Sequence, residues 1–218
     1  MKNMKKILVL ALAALLLVAV GVGGTLAWLT ATSGPVENTF VKTKIEIELK
    51  ENKLDVADGE YTLGTDETDK NNNYVLLPGQ EQPKNPFVRI MKGSEKCYVF
   101  IEVLESANYT TFIASTVDDA KWKEVTGVTP KHTGAKVYVY TAGGNNPAVV
   151  NALDEEQKLS ILTDNKIKVK DTVTQDDMTD AAVAALKIEF YGYAIQSENQ
   201  AATETGATLW AKIAPTTP

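Results

Sequence analysis

The sequence predicts a mainly β protein: an antiparallel, jelly-roll-like β-sandwich with one or two short helices, preceded by an N-terminal signal helix. Three observations point to it. Short runs with period-two or two-sided apolar character recur along the chain, Gly, Pro and Asn punctuate them, and only two stretches carry helical periodicity. A single cysteine, Cys97, in 218 residues rules out an intramolecular disulfide, so the fold must rest on its core. No fixed-period repeat is present.

At the N-terminus, Lys2, Lys5 and Lys6 precede the uncharged run Ile7 to Val20, the n-region and h-region of a secretory signal peptide. A membrane anchor is the competing reading, since counting on through Leu29 reaches the length of a span. Gly21, Gly23 and Gly24 weaken a helix there, and Thr25-Leu26-Ala27 offers small residues at the right spacing for cleavage between Ala27 and Trp28. The expected organisation is therefore a signal peptide over 1–27, a flexible polar segment over 28–40 and one β-sandwich domain over 41–214.

The first strand is expected over Val41 to Lys50, where Val41, Thr43, Ile45, Ile47 and Leu49 alternate with charged residues. Glu51 to Asn73 is polar and reads as a long loop or a pair of short edge strands. Pro78-Gly79 is a turn, Phe87 to Met91 a strand, and Lys92 to Glu95 a reversal. Cys97 to Leu104 is apolar on both faces and is expected as a central strand, with Cys97 itself a packing residue. Tyr109 to Ile113 and Leu153 to Leu162 are ambiguous. Trp122 to Val125, Lys136 to Thr141 and Lys166 to Lys170 read as strands. Thr174-Gln175-Asp176-Asp177 has the form of a capping box and predicts a helix over Gln175 to Ala185. Leu186 to Gln196 is expected to be the longest strand, in the middle of a sheet, and Ala201 to Lys212 a closing helix.

After removal of residues 1–27 the chain keeps 19 Lys and Arg against 28 Asp and Glu, a net charge of −9. Such an acidic chain argues against nucleic acid and against charge-driven binding to anionic lipid, so membrane contact is expected only through the uncleaved signal.

Catalytic signatures are missing. The one histidine, His132, lies in a Pro- and Gly-flanked turn and reads as a solvated surface residue, while a catalytic zinc takes two or three histidines. No nucleophile elbow, phosphate loop or dinucleotide fingerprint occurs, so no catalytic residue and no cofactor is assigned. Asp66, Asp69, Asn71 and Asn73 carry oxygens suited to calcium, but their spacing departs from the EF-hand pattern and a solvated loop is the expectation.

Gly23-Gly24-Thr25-Leu26-Ala27 followed by Asn38-Thr39-Phe40 and an alternating strand resembles the SipW-dependent signal peptide and mature start of the TasA/camelysin family. Leu77-Pro78-Gly79, Gly93 to Val99, and Phe190 to Gln196 with Trp210 beyond resemble that family's turn, central strand, penultimate strand and closing helix, in order. The resemblance implies a jelly-roll-like protein exported by a Gram-positive bacterium, processed by a SipW-type signal peptidase and deposited in the extracellular biofilm matrix or at the cell surface. It further implies fibres of self-copies built by donor-strand exchange, with an accessory matrix or anchoring protein as a further partner. Mapped onto this chain, the donor runs from Leu29 to Leu49, with Phe40, Val41, Ile45, Ile47 and Leu49 as its apolar teeth. Two other functions compete: a camelysin-like metallopeptidase, from which the chain departs by its single histidine and lack of H-E-x-x-H, and a surface adhesin that never polymerises.

Overall fold

The computed structural model describes residues 44–57, 60–68, 72, 74–201 and 203–213. The chain divides into Met1–Lys42 and Thr43–Pro218, and the first of these units lies outside the described residues, as do the expected signal peptide and flexible segment.

In chain order the elements are β1 (Ile47–Ala57), β2 (Glu60–Thr68), β3 (Glu81–Pro83), β4 (Phe87–Ile90), β5 (Ser94–Glu105), α1 (Tyr109–Phe112), β6 (Trp122–Glu124), β7 (Lys136–Tyr140), β8 (Val150–Ala152), β9 (Gln157–Ser160), β10 (Lys166–Lys168), α2 (Asp180–Ala184), β11 (Ile188–Gln196) and α3 (Gly206–Ile213). The protein is mainly β with few short helices, and every pairing is antiparallel. One sheet runs β2-β1-β4-β9, the other β11-β5-β7-β6 with β8 on the start of β5, and β3 pairs with β10 apart from both.

β5 organises the packing because alternate side chains leave its two faces. Cys97, Val99, Ile101 and Val103 meet Val88, Ile90, Leu159 and Ile161 of the facing strands and chain, forming the core between the two sheets. On the outer face Phe100 joins Val125, Val137 and Val139 beneath Leu209 and Trp210 of α3. Each fully buried side chain of this size contributes about 1.5–3 kcal/mol, so burial on both faces of one strand outweighs any single polar contact. A third cluster, with Tyr109, Phe112, Ile113, Ile167 and Val169, fills the end of the molecule beside α2.

Local chemistry sets the connections. Gly79 (φ 76) and Gly93 (φ 83) occupy the left-handed region at the turns that precede β3 and β5, where a side chain would be strained. Residues 51–68 resolve as a hairpin rather than a loop, with Ala57 opposite Glu60 across its tip and a register shift between Asn52 and Leu54. Tyr109 to Ile113 takes a single helical turn, and the ambiguous 153–162 stretch forms β9.

Three expectations need correction. The closing helix expected over Ala201 to Lys212 spans Gly206–Ile213. The helix expected over 175–185 spans only Asp180–Ala184, capped by Thr179, whose oxygen accepts from Ala182 N–H. Asp177 instead accepts from both the N–H and the hydroxyl of Thr174 at 2.8 and 2.6 Å, so the threonine acts as donor there and the segment stays a turn. Furthermore, β11 is neither the longest strand nor central: β5 has 12 residues, β1 has 11, and β11, with 9, forms the edge of its sheet. Its apolar character comes from cover on both faces, by β1 on one side and α3 on the other, and that requires no lateral neighbour.

Candidate functional site

Among the sequence-derived site residues, Ala27, Trp28, Phe40, Val41, Asp69, Asn71 and Asn73 lie outside the described residues. Asp66 stands on the exposed hairpin, 3.3 Å from Lys53 Nζ. Ile45, Ile47 and Leu49 are seated in their own chain: they pack against the inter-sheet core, with Ile47 opposite Ile90 and Leu49 opposite Val88.

Of the three, Leu49 lines a groove between β1 and β11, and Ile47 reaches toward Gly192 of β11. The β4 ladder takes the even residues of β1, as Met91 N–H to Glu46 O (2.9 Å) and the register Glu48↔Arg89 fix its phase. Ile45, Ile47 and Leu49 therefore direct their backbone N–H and C=O groups away from β4, toward the flank. The same parity holds across the groove. Ser106 N–H bonds Lys187 O at 3.0 Å and Ser197 N–H bonds Lys96 O at 2.8 Å, so odd residues of β11 bond β5 and Phe190, Gly192 and Ala194 turn theirs outward. On that side β2 pairs with the second half of β1, Glu51 to Ala57, and among the described residues no strand pairs with Ile47 or Leu49 there or with the outward edge of β11.

Side chains line the space between the two rows. A groove of about 230 Å³ has Leu49, Pro86, Ile188 and Phe190 on its apolar side and Lys50, Glu51, Thr68, Lys84, Glu189 and Tyr191 on its polar side. Gly192 faces the inter-sheet core instead, where a methyl would reach ordinary contact with Ile47 and Val88 (3.7 and 3.8 Å). Backbone groups without a strand partner among the described residues, beside a groove with both apolar and polar walls, are the features an added strand uses.

The outer face of β11 is held by a polar cluster. Glu102 on β5 is fully buried and accepts from the Lys131 N–H, from Tyr193 Oη at 2.9 Å and from His132 Nδ1 at 2.6 Å. His132 stacks on Tyr191, ring centroids 3.5 Å apart, and Lys131 Nζ lies 4.7 Å from the centre of the Tyr193 ring. Burial and then the bond to Glu102 push the Tyr193 phenol well above its ordinary range, so it remains a donor. His132 is thus a clasp residue, correcting its expected role as a solvated turn residue. The signal for it is Glu102 itself, the one charge in the run Cys97 to Leu104, which must find partners from another segment.

The wet face of the other sheet is closed by charge pairs: Arg89 meets Glu48, Glu67 and Glu156, and Lys158 meets Glu67 at 2.8 Å. Near the groove, Lys84 Nζ and Glu51 Oε2 form a buried pair at 2.8 Å, with Asn72 Nδ2 donating to Glu51 at 2.9 Å. Among the described residues no group of three His, Cys, Asp or Glu is placed to hold a metal ion, and no helix is long and apolar enough to cross a membrane. No family model, no curated protein and no solved structure matches the chain.

Proposed function

We infer that the protein is a secreted structural subunit of an extracellular biofilm matrix, which polymerises when the N-terminal segment of one copy adds as a strand to the next. The single observation that carries this reading is the flank where Ile47 and Leu49 of β1 and Phe190, Gly192 and Ala194 of β11 turn backbone groups outward with no strand partner among the described residues, beside a groove that Leu49 and Phe190 border. The donated stretch is the one ahead of Lys44, with Phe40 and Val41 as its apolar teeth. Ile45, Ile47 and Leu49 are seated against their own core, and Leu49 borders the receiving groove. The Lys44 carbonyl accepts from Glu95 N–H at 3.0 Å, which anchors the base of that segment beside the β4–β5 turn.

A segment that enters a neighbour's groove while its own groove receives another makes a head-to-tail contact that does not close, and so builds filaments. Cleavage between Ala27 and Trp28 by a SipW-type signal peptidase would release the segment from the membrane, and an accessory matrix protein would anchor the filament. Deleting Trp28 to Phe40 tests the reading. The described domain should remain folded and monomeric, and fibres still visible by electron microscopy after that deletion would overturn it.

A further inference from the structure

The third apolar cluster holds a cleft of about 340 Å³, at the small end of the roughly 300–1,000 Å³ range of ligand pockets. It lies between α2, the start of β11 and residues 74–76, and Leu76, Ile113, Ile167 and Leu186 supply its apolar wall. Tyr74 and Tyr109 line it as well, and both hydroxyls are buried without a hydrogen-bond partner. The Tyr109 ring is 2% exposed, and the Tyr74 hydroxyl borders the Asn72 side chain without a bond of sound geometry. Buried hydroxyls are normally bonded, so two such donors just behind one cleft wall reward a ligand whose acceptor reaches them as the side chains adjust.

The charges around the cleft cancel in pairs. Lys84 Nζ is 2.8 Å from Glu51 and Lys187 Nζ is 3.2 Å from Glu189, leaving neither a cation for an anionic ligand nor a carboxylate for a cationic one. Burial, with Glu51 acting on Tyr74 and Glu105 on Tyr109 as the lesser cause, pushes both phenols above their ordinary range and keeps their protons in place for donation.

We propose that this cleft binds a small neutral amphipathic molecule, an aromatic ring or short acyl chain bearing a carbonyl or hydroxyl oxygen that accepts from Tyr109 and Tyr74. The cleft adjoins the groove beside β1, sharing Glu51, Lys84, Ile188 and Glu189 with it, but the proposal does not rest on the fibre reading.

Acetophenone and its oxygen-free counterpart ethylbenzene, titrated into the purified chain and followed by amide NMR shifts, distinguish the parts of the proposal. Acetophenone should bind saturably, with shifts confined to residues 74–76, 109–113 and 183–188. Tyr109→Phe removes only an unpartnered hydroxyl and should fold as well as the parent. It should weaken acetophenone by about three- to tenfold, the worth of one hydrogen bond, and leave ethylbenzene unchanged. Val183→Trp, at a half-open lining position, should block both. Absence of saturable binding, shifts elsewhere, or equal acetophenone affinity in the parent and Tyr109→Phe would overturn the proposal.

Discussion

Glu102 Oε2 lies 2.6 Å from His132 Nδ1, so a carboxylate with no solvent exposure on the central strand is met by the chain's single imidazole, carried on the β6–β7 loop. The loop is pinned a second time where Trp210 Nε1 donates to Thr129 O at 2.9 Å. Two elements distant in sequence thereby cover the outer face of β11, the strand whose lateral edge stays open.

The first prediction concerns that clasp. His132→Ala withdraws one of three donors from a buried carboxylate and should cost about 1–3 kcal/mol in urea unfolding. Glu102→Leu should cost more, because it strands the Lys131 N–H, the imidazole and the Tyr193 hydroxyl at once. Amide exchange in residues 126–135 should accelerate in both variants. Unchanged exchange would mean that Trp210 alone holds the loop.

A second prediction addresses the buried pair beside the groove. Lys84→Met leaves Glu51 charged and nearly enclosed, with Asn72 as its remaining partner, and should destabilise by about 3–5 kcal/mol. Adding Glu51→Leu should recover much of that loss, since a well-packed apolar pair is a fair replacement for a buried ion pair. A double-mutant cycle with additive effects would show that the two residues do not act as a pair.

The third prediction uses pH. Burial pushes the Cys97 thiol up from 9.0 to about 11, so the folded chain keeps a proton that the unfolded chain releases. The sign is therefore destabilising on the alkaline side: stability is insensitive to this group below about pH 8 and falls between about 9 and 11. Cys97→Ala, whatever its packing cost, should lack that part of the slope. At pH 8 a thiol reagent should label Cys97 only after urea is added.

Much of the fold is legible because burial writes itself into side-chain patterns. β5 is readable from two apolar faces, β7 from its valines and tyrosines, and the turns at Gly79 and Gly93 from residues that tolerate positive φ. Lateral position is another matter. The apolar faces of β11 report what lies above and below the strand, and nothing in Ile188 to Gln196 encodes whether a neighbour sits beside it. The Thr174-to-Asp177 spacing likewise fits a cap, yet the carboxylate outcompetes the threonine oxygen and the helix waits for Thr179. Ile45, Ile47 and Leu49 read equally well as teeth for another subunit or for their own core. Only the ladder to β4 decides which they fill within the chain.

A fourth prediction follows from the backbone parity of β11. Ala194 turns its N–H away from β5, so Ala194→Pro should remove a donor from the open edge while sparing the internal ladder. The variant should fold, elute as a monomer and fail to extend fibres. Tyr193→Pro, one residue earlier, should instead disrupt the ladder to β5 and unfold at lower urea.

The proposed strand-accepting groove is tested most directly by supplying the segment proposed to fill it. A chain lacking Trp28 to Phe40 would be mixed with a synthetic peptide spanning residues 28–43, and binding followed by amide NMR. The account predicts saturable binding with shifts at Phe190, Gly192 and Ala194 and at Ile45, Ile47 and Leu49, blocked by Ala194→Pro. Fibres from the deleted chain alone, or a peptide that binds without touching those six residues, would contradict it.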